Sequence, residues 1–198
     1  MLTSCHDSSL VVDRLRDLAR GQNTTVGYFY FDFTARKELS AADILRSLLK
    51  QMINEMEIVP GEILKGLREQ RRADGHETEL VKIVQMLQLI ASSQRTFLCI
   101  DALGECGGVQ RAKVLESLKQ ILDKSPGTRI FVTGGSSIGV EIEEHLSGRV
   151  ASVSADPRKD DIITYIRARL AKDKTADAMD ECLEADILEK TQGNISGM

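Results

Sequence analysis

The chain has 198 residues, 42% of them hydrophobic and 28% charged, which suits one soluble domain with a sizeable core and excludes a disordered chain. A net charge of −4 argues against a general nucleic-acid binder, which needs a basic face. No apolar run approaches the roughly 20 residues that span a bilayer, and Asp7, Asp13, Arg14, Arg16 and Asp17 interrupt any signal-peptide layout. Four cysteines (Cys5, Cys99, Cys106, Cys182) show no C-x-x-C pair, so the expected setting is the reducing cytoplasm, with neither nucleic acid nor membrane as partner.

Strands and helices alternate along the chain. Leu10, Val11, Leu15 and Leu18 make a helical stripe from about Ser8 to Arg20, closed by Gly21. Thr25 to Phe33 is rich in aromatics and reads as a strand. Ser40-Ala-Ala-Asp43 forms a capping box with Asp in place of Glu, opening a helix that carries Ile44, Leu45, Leu48, Leu49, Met52 and Ile53 on one face. Gly61 to Arg72 reads as a polar helix and Arg68 to Glu79 as a solvated loop with helix ends; Leu80, Ile83, Val84, Leu87 and Ile90 mark the next helix. Thr96 to Asp101 is a short apolar strand, followed by a helix on Val114, Leu115, Leu118, Ile121 and Leu122. Arg129 to Thr133 is another strand, Val140 to Leu146 a helix and Arg149 to Val153 a further strand. Asp156-Pro157 starts a helix buried through Ile162, Ile163, Ile166 and Leu170, and a last helix covers about Ala176 to Lys190.

This alternation predicts an α/β fold with a doubly wound parallel sheet and ligands at the carboxyl edge of its strands. The run Thr96-Phe-Leu-Cys-Ile-Asp-Ala-Leu-Gly-Glu-Cys106 carries the chemistry. A hydrophobic strand that ends in Asp101 is how a nucleotide-hydrolysing fold presents an acid to magnesium, directly or through water. Glu105, four residues on, is the candidate catalytic acid that would orient or deprotonate an attacking water. The companion motif is a phosphate loop, G-x-x-x-x-G-K-[ST], yet no glycine in the chain is followed by lysine, so no cofactor-binding residue is assigned.

Four segments, Tyr28-Phe-Tyr-Phe-Asp32, Phe97 to Cys106, Arg129 to Thr133 and Asp161 to Arg169, together resemble a fungal NACHT-type NTPase module of the STAND class, the nephrocystin 3-like N-terminal domain. The resemblance covers essentially the whole chain. It implies a P-loop NTPase fold in a signalling protein, switched between resting and oligomerising states by nucleotide exchange. Residues 1–155 would then be a partial NTPase core and residues 156–198 the start of a C-terminal helical region. Asp101 would be the magnesium ligand, and an intact relative would bind Mg-ATP or Mg-GTP.

The chain departs from that pattern in three places. The first strand and phosphate loop of the family would precede Met1, and Met1-Leu-Thr-Ser4 is similar to the start of the helix that follows the loop lysine. Gly104 stands where the family has a second aspartate. Gly134-Gly135-Ser136-Ser137 replaces a sensor arginine near Gly135, so no charge there reaches a terminal phosphate. The resemblance therefore implies a sheet that lacks its first strand and its phosphate loop. That strand would lie between Arg129–Thr133 and Arg149–Val153, and its loss would leave unpaired edge groups costing roughly 1–3 kcal/mol each if unsatisfied.

A second glycine-rich turn, Thr133 to Gly139, is similar to that of short-chain dehydrogenases but is one residue short and has no Tyr-x-x-x-Lys pair after it. The expected function is a fragment of a NACHT-type signalling NTPase that acts as an interaction or scaffold module, with protein partners or self-association in a longer context and no cofactor of its own. The alternatives are a working ATP- or GTP-dependent switch served by an upstream phosphate loop, and a dinucleotide-binding oxidoreductase using Thr133 to Gly139. The fragment reading predicts marginal stability: melting followed by circular dichroism is expected below about 50 °C, and a cooperative transition above that temperature overturns it.

Overall fold

Three segments rich in aromatic and β-branched residues pair in parallel, and the rest of the fold is arranged around them. The computed structural model describes residues 4–31, 39–70, 76–135, 137–146, 148–153 and 159–170, together with residues 183, 186, 187 and 190. The chain divides into two compact units, Met1–Ala151 and Ser152–Met198. The first contains α1 (Ser4–Ala19), β1 (Thr24–Tyr30), α2 (Ala41–Asn54), α3 (Gly61–Gln70), α4 (His76–Ser93), β2 (Arg95–Asp101), a 3-10 turn (Leu103–Glu105), α5 (Gly108–Lys124), β3 (Arg129–Val132) and α6 (Ser137–Leu146).

The sheet order is β1-β2-β3, all parallel, with Tyr30 opposite Asp101 and Ile100 opposite Val132. Central β2 is buried almost throughout, as a parallel strand covered on both faces must be. One face carries Phe29, Phe31, Leu98, Ile100, Ile130 and Val132 into the main core built by α2, α4 and α5. The other carries Val26, Tyr28, Phe97 and Cys99 against Val12, Leu15 and Ala19 of α1. Helices on both faces of a parallel sheet make this an α/β fold compatible with a nucleotide-binding arrangement.

The capping box at Ser40 forms as its sequence predicts. The Asp43 N–H donates to Ser40 Oγ at 3.2 Å and the Ser40 N–H donates to Asp43 Oδ2 at 3.1 Å. Bonding from the Ser40 hydroxyl, aided by Arg46, holds the Asp43 carboxyl below its ordinary value against the opposing effect of burial. A depressed carboxyl stabilises the fold above its unfolded value, and that contribution disappears as pH falls through its folded value. The stripe opened by this cap buries Ile44, Leu45, Leu48, Leu49 and Met52 completely or nearly so. Arg46 reaches both Asp43 and Glu79, tying α2 to α4.

The two edges of the sheet are treated differently. On the outer edge of β1, the Tyr28 N–H donates to Gln51 Oε1 at 3.0 Å and Gln51 Nε2 donates to the Tyr28 carbonyl at 2.8 Å. Glu55 Oε2 accepts from the Thr25 hydroxyl at 3.2 Å and from the Val26 N–H at 3.5 Å. Side chains of α2 and the turn after it thus stand in for a fourth strand and blunt the edge. On the opposite side the Thr133 N–H bonds Ile100, so strand alternation turns the N–H and C=O groups of Ile130 and Val132 away from β2.

Several elements differ from the sequence reading. Residues 149–153 form no strand. The Arg149 N–H bonds the Leu146 carbonyl, Arg149 pairs with Asp123 at 2.7 Å and Gly148 has a φ of +73°, so the chain turns here instead of extending beside β3. The sheet of the described residues accordingly has three strands and no fourth beside β3. The polar stretch from Arg68 agrees with its reading in having helix at both ends, in α3 and α4, and residues 71–75 between them lie outside the described residues. α1 and α6 each begin earlier than their apolar stripes, and β1 ends at Tyr30, with Asp32 and Phe33 outside the described residues.

In the second unit, α7 (Lys159–Leu170) has Asp160 and Asp161 in its first turn and Arg167 and Arg169 in its last, each complementing the helix dipole. The Asp156-Pro157 start lies outside the described residues, as does most of the last helix; residues 183, 186, 187 and 190 are helical. For the first unit, Gln51→Ala is expected to lower the unfolding free energy by about 1–3 kcal/mol and to promote self-association, read from urea titration and light scattering.

Candidate functional site

Asp101 closes β2 at the carboxyl edge of the sheet and is 2% exposed. Its Oδ1 accepts a short hydrogen bond from the Thr133 hydroxyl. The same hydroxyl oxygen accepts from the Ala102 N–H at 2.9 Å. The Thr133 N–H donates to the Ile100 carbonyl at 3.0 Å, and the Thr133 carbonyl accepts from the Leu103 N–H at 2.9 Å. One residue just after β3 therefore binds four consecutive residues of the β2 tip. Between them Ala102 takes a φ of 55°, a left-handed conformation that a side chain adopts at some cost and that this zip of hydrogen bonds sustains.

The 3-10 turn that follows carries Glu105, which is exposed. Arg111 of α5 holds the backbone on both sides of it: Nη1 donates to the Cys106 carbonyl at 2.8 Å and to the Gly104 carbonyl at 3.3 Å. Nε of the same arginine donates to Glu141 Oε2 of α6 at 2.7 Å. Ile138, 4% exposed at the start of α6, packs against both glycine turns. A Cβ on Gly134 would collide with its Cδ1, and one on Gly104 would lie 3.6 Å from its Cγ2. Gly104 and Gly135 are neighbours across the two turns, since a Cβ on Gly104 would lie 3.9 Å from the Gly135 nitrogen. Nothing stands within 4 Å of a Cβ on Gly135. Gly104 and Gly135 thus face one another, with open space around a Cβ at Gly135.

For a divalent cation the placement of Asp101 fits, and the donor set is thin. Asp101 supplies one carboxylate, already engaged by Thr133, and no group of three or more His, Cys, Asp or Glu side chains among the described residues is arranged to hold a metal. A single buried carboxylate with a partner in place does not by itself make a cation site. The thiols are packing groups: burial pushes Cys99 up to about 12 and raises Cys106 as well.

The family model for the N-terminal region of nephrocystin 3 matches residues 6–134, about two thirds of the chain, from α1 through the turn after Thr133. The chain belongs to the nephrocystin 3 N-terminal family. Comparison with curated proteins and with solved structures finds no match. The matched stretch holds both Asp101 and Glu105 and ends three residues before α6.

Sequence reasoning placed Asp101 and Glu105 on one strand tip and missed Thr133 and Arg111. A threonine that ends a strand before Gly-Gly carries no signal by itself; the register of β3 on β2 brings its hydroxyl to Asp101. A double-mutant cycle tests the pairing. Thr133→Val and Asp101→Asn are each expected to cost about 1–3 kcal/mol in urea unfolding and to be non-additive by more than about 0.5 kcal/mol, whereas additive losses would break the link.

Proposed function

We propose that these 198 residues act as a NACHT-related interaction module, a scaffold of the nucleotide-binding lineage that does not hydrolyse nucleotide by itself. The observation that carries this reading is the pairing of a family strand tip, Asp101 and Glu105, with a sequence in which no glycine precedes a lysine. A phosphate loop contributes several backbone N–H groups and a lysine to the β- and γ-phosphates, and without them one buried carboxylate offers little purchase. Gly104 and Gly135 withhold a second acid and a cation from the same tips. Protein partners or self-association are the interactions of such a module. No helix among the described residues is long and apolar enough to cross a membrane.

A second reading is an ATP- or GTP-dependent switch in which a phosphate loop outside these residues completes the site. The open edge of β3 among the described residues favours it, because the outward groups of Ile130 and Val132 could receive one more parallel strand, one strand away from β2 and Asp101. The oxidoreductase reading of Thr133 to Gly139 fares worse: Ile138 fills the space against Gly134 that a dinucleotide backbone would need.

Isothermal titration of the chain with Mg-ATP and with Mg-GTP separates these readings. No binding is expected up to about 1 mM, and a micromolar Kd overturns the scaffold proposal. Binding of NAD instead would support the oxidoreductase.

A further inference from the structure

We propose that α6 is a detachable cover over the 3-10 turn at the tip of β2, held shut by the Arg111–Glu141 pair and by the Ile138 wedge, so that the buried side of that turn, Leu103 and Cys106, becomes accessible only when α6 lifts.

The composition of α6 makes it the weakest-held helix at this edge. Of its ten residues only Ile138 and Leu146, near its two ends, are buried, and Val140 between them is 68% exposed. By contrast α2 buries seven residues of fourteen. Elements with few buried apolar contacts open locally at a fraction of the global unfolding free energy. At mid-length the partly buried Ile142 packs against the main core, and beside it stands the Arg111–Glu141 bond at 2.7 Å, with side chains about a quarter exposed or less. A charge-assisted bond of this kind contributes more than a neutral one and can be broken without disturbing the apolar core.

The latch also bears on the turn beneath it. The guanidinium that grips Glu141 grips the carbonyls of Gly104 and Cys106, on either side of Glu105. When α6 leaves, Arg111 loses its carboxylate partner, and Ile138 leaves its seat against Gly104 and Gly134. The Glu105 turn then loses both its wedge and the anchor of its clamp. The β2–β3 pairing through Thr133 involves no residue of α6 and stays intact. α6 lies beyond the residues matched by the family model.

Two native thiols report the motion. Cys106 is 4% exposed and lies close to the latch, near enough for the charges of Arg111 and Glu141 to bear on it. Cys99 is 3% exposed within β2, under α1, and is reached only by deeper unfolding. In a full-length Cys5→Ser/Cys182→Ser background, reaction with a small aromatic disulfide reagent is followed at each thiol by mass spectrometry. Lifting of α6 predicts that Cys106 reacts at least about tenfold faster than Cys99. Glu141→Ala, which removes the latch while improving helix propensity, is expected to raise the Cys106 rate about tenfold further and leave Cys99 unchanged. Ile138→Ala should do the same through loss of the wedge. Equal rates at the two thiols in the latched protein, or a Cys106-to-Cys99 ratio unmoved by Glu141→Ala, would overturn the proposal. Neither outcome depends on nucleotide, so failure here is distinct from failure of the calorimetric test.

Discussion

Every other element of the first unit takes its position from β2, a strand that is paired on both edges and covered on both faces. Its backbone bonds β1 on one side and β3 on the other, and its side chains divide between the core of α2, α4 and α5 and the smaller core of α1. A parallel strand in this position cannot hairpin back to its neighbours, so long crossovers must carry the chain over the sheet and return it. Those crossovers are the helices. The tip of the same strand is the one place where a polar group, Asp101, emerges from the apolar run.

The tip and the edges answer the same physical demand, that a buried polar group find a partner. Asp101 finds the Thr133 hydroxyl, Ala102 in its left-handed conformation finds the same oxygen, and Tyr28 on the far edge finds both ends of the Gln51 amide. In each case a side chain from another element supplies what the strand lacks. The result is a strand tip tied up internally, with its acid committed to holding two strands in register.

The order of elements, the core face of α2, its capping box and the strand ending in Asp101 were all legible from residue pattern, because each rests on contacts local in sequence or on simple periodicity. The strand expected at Arg149–Val153 failed for the opposite reason. A strand exists only by pairing, and its apolar alternation cannot reveal whether a neighbour is present; here Gly148 and the Arg149–Asp123 pair turn the chain away instead.

By itself the sequence determined the α/β class, the lineage carried by Phe97 to Cys106, and the lack of any glycine-lysine pair with which to bind phosphate. Those properties belong to residue type and spacing, and folding cannot alter them. The tertiary structure alone decided that Asp101 faces Thr133, that Gly104 and Gly135 are neighbours, that Arg111 bridges the Glu105 turn to α6, and that one sheet edge is capped while the other is open. Each of these joins residues about 20 to 30 positions apart, and only the parallel register of three strands sets such distances.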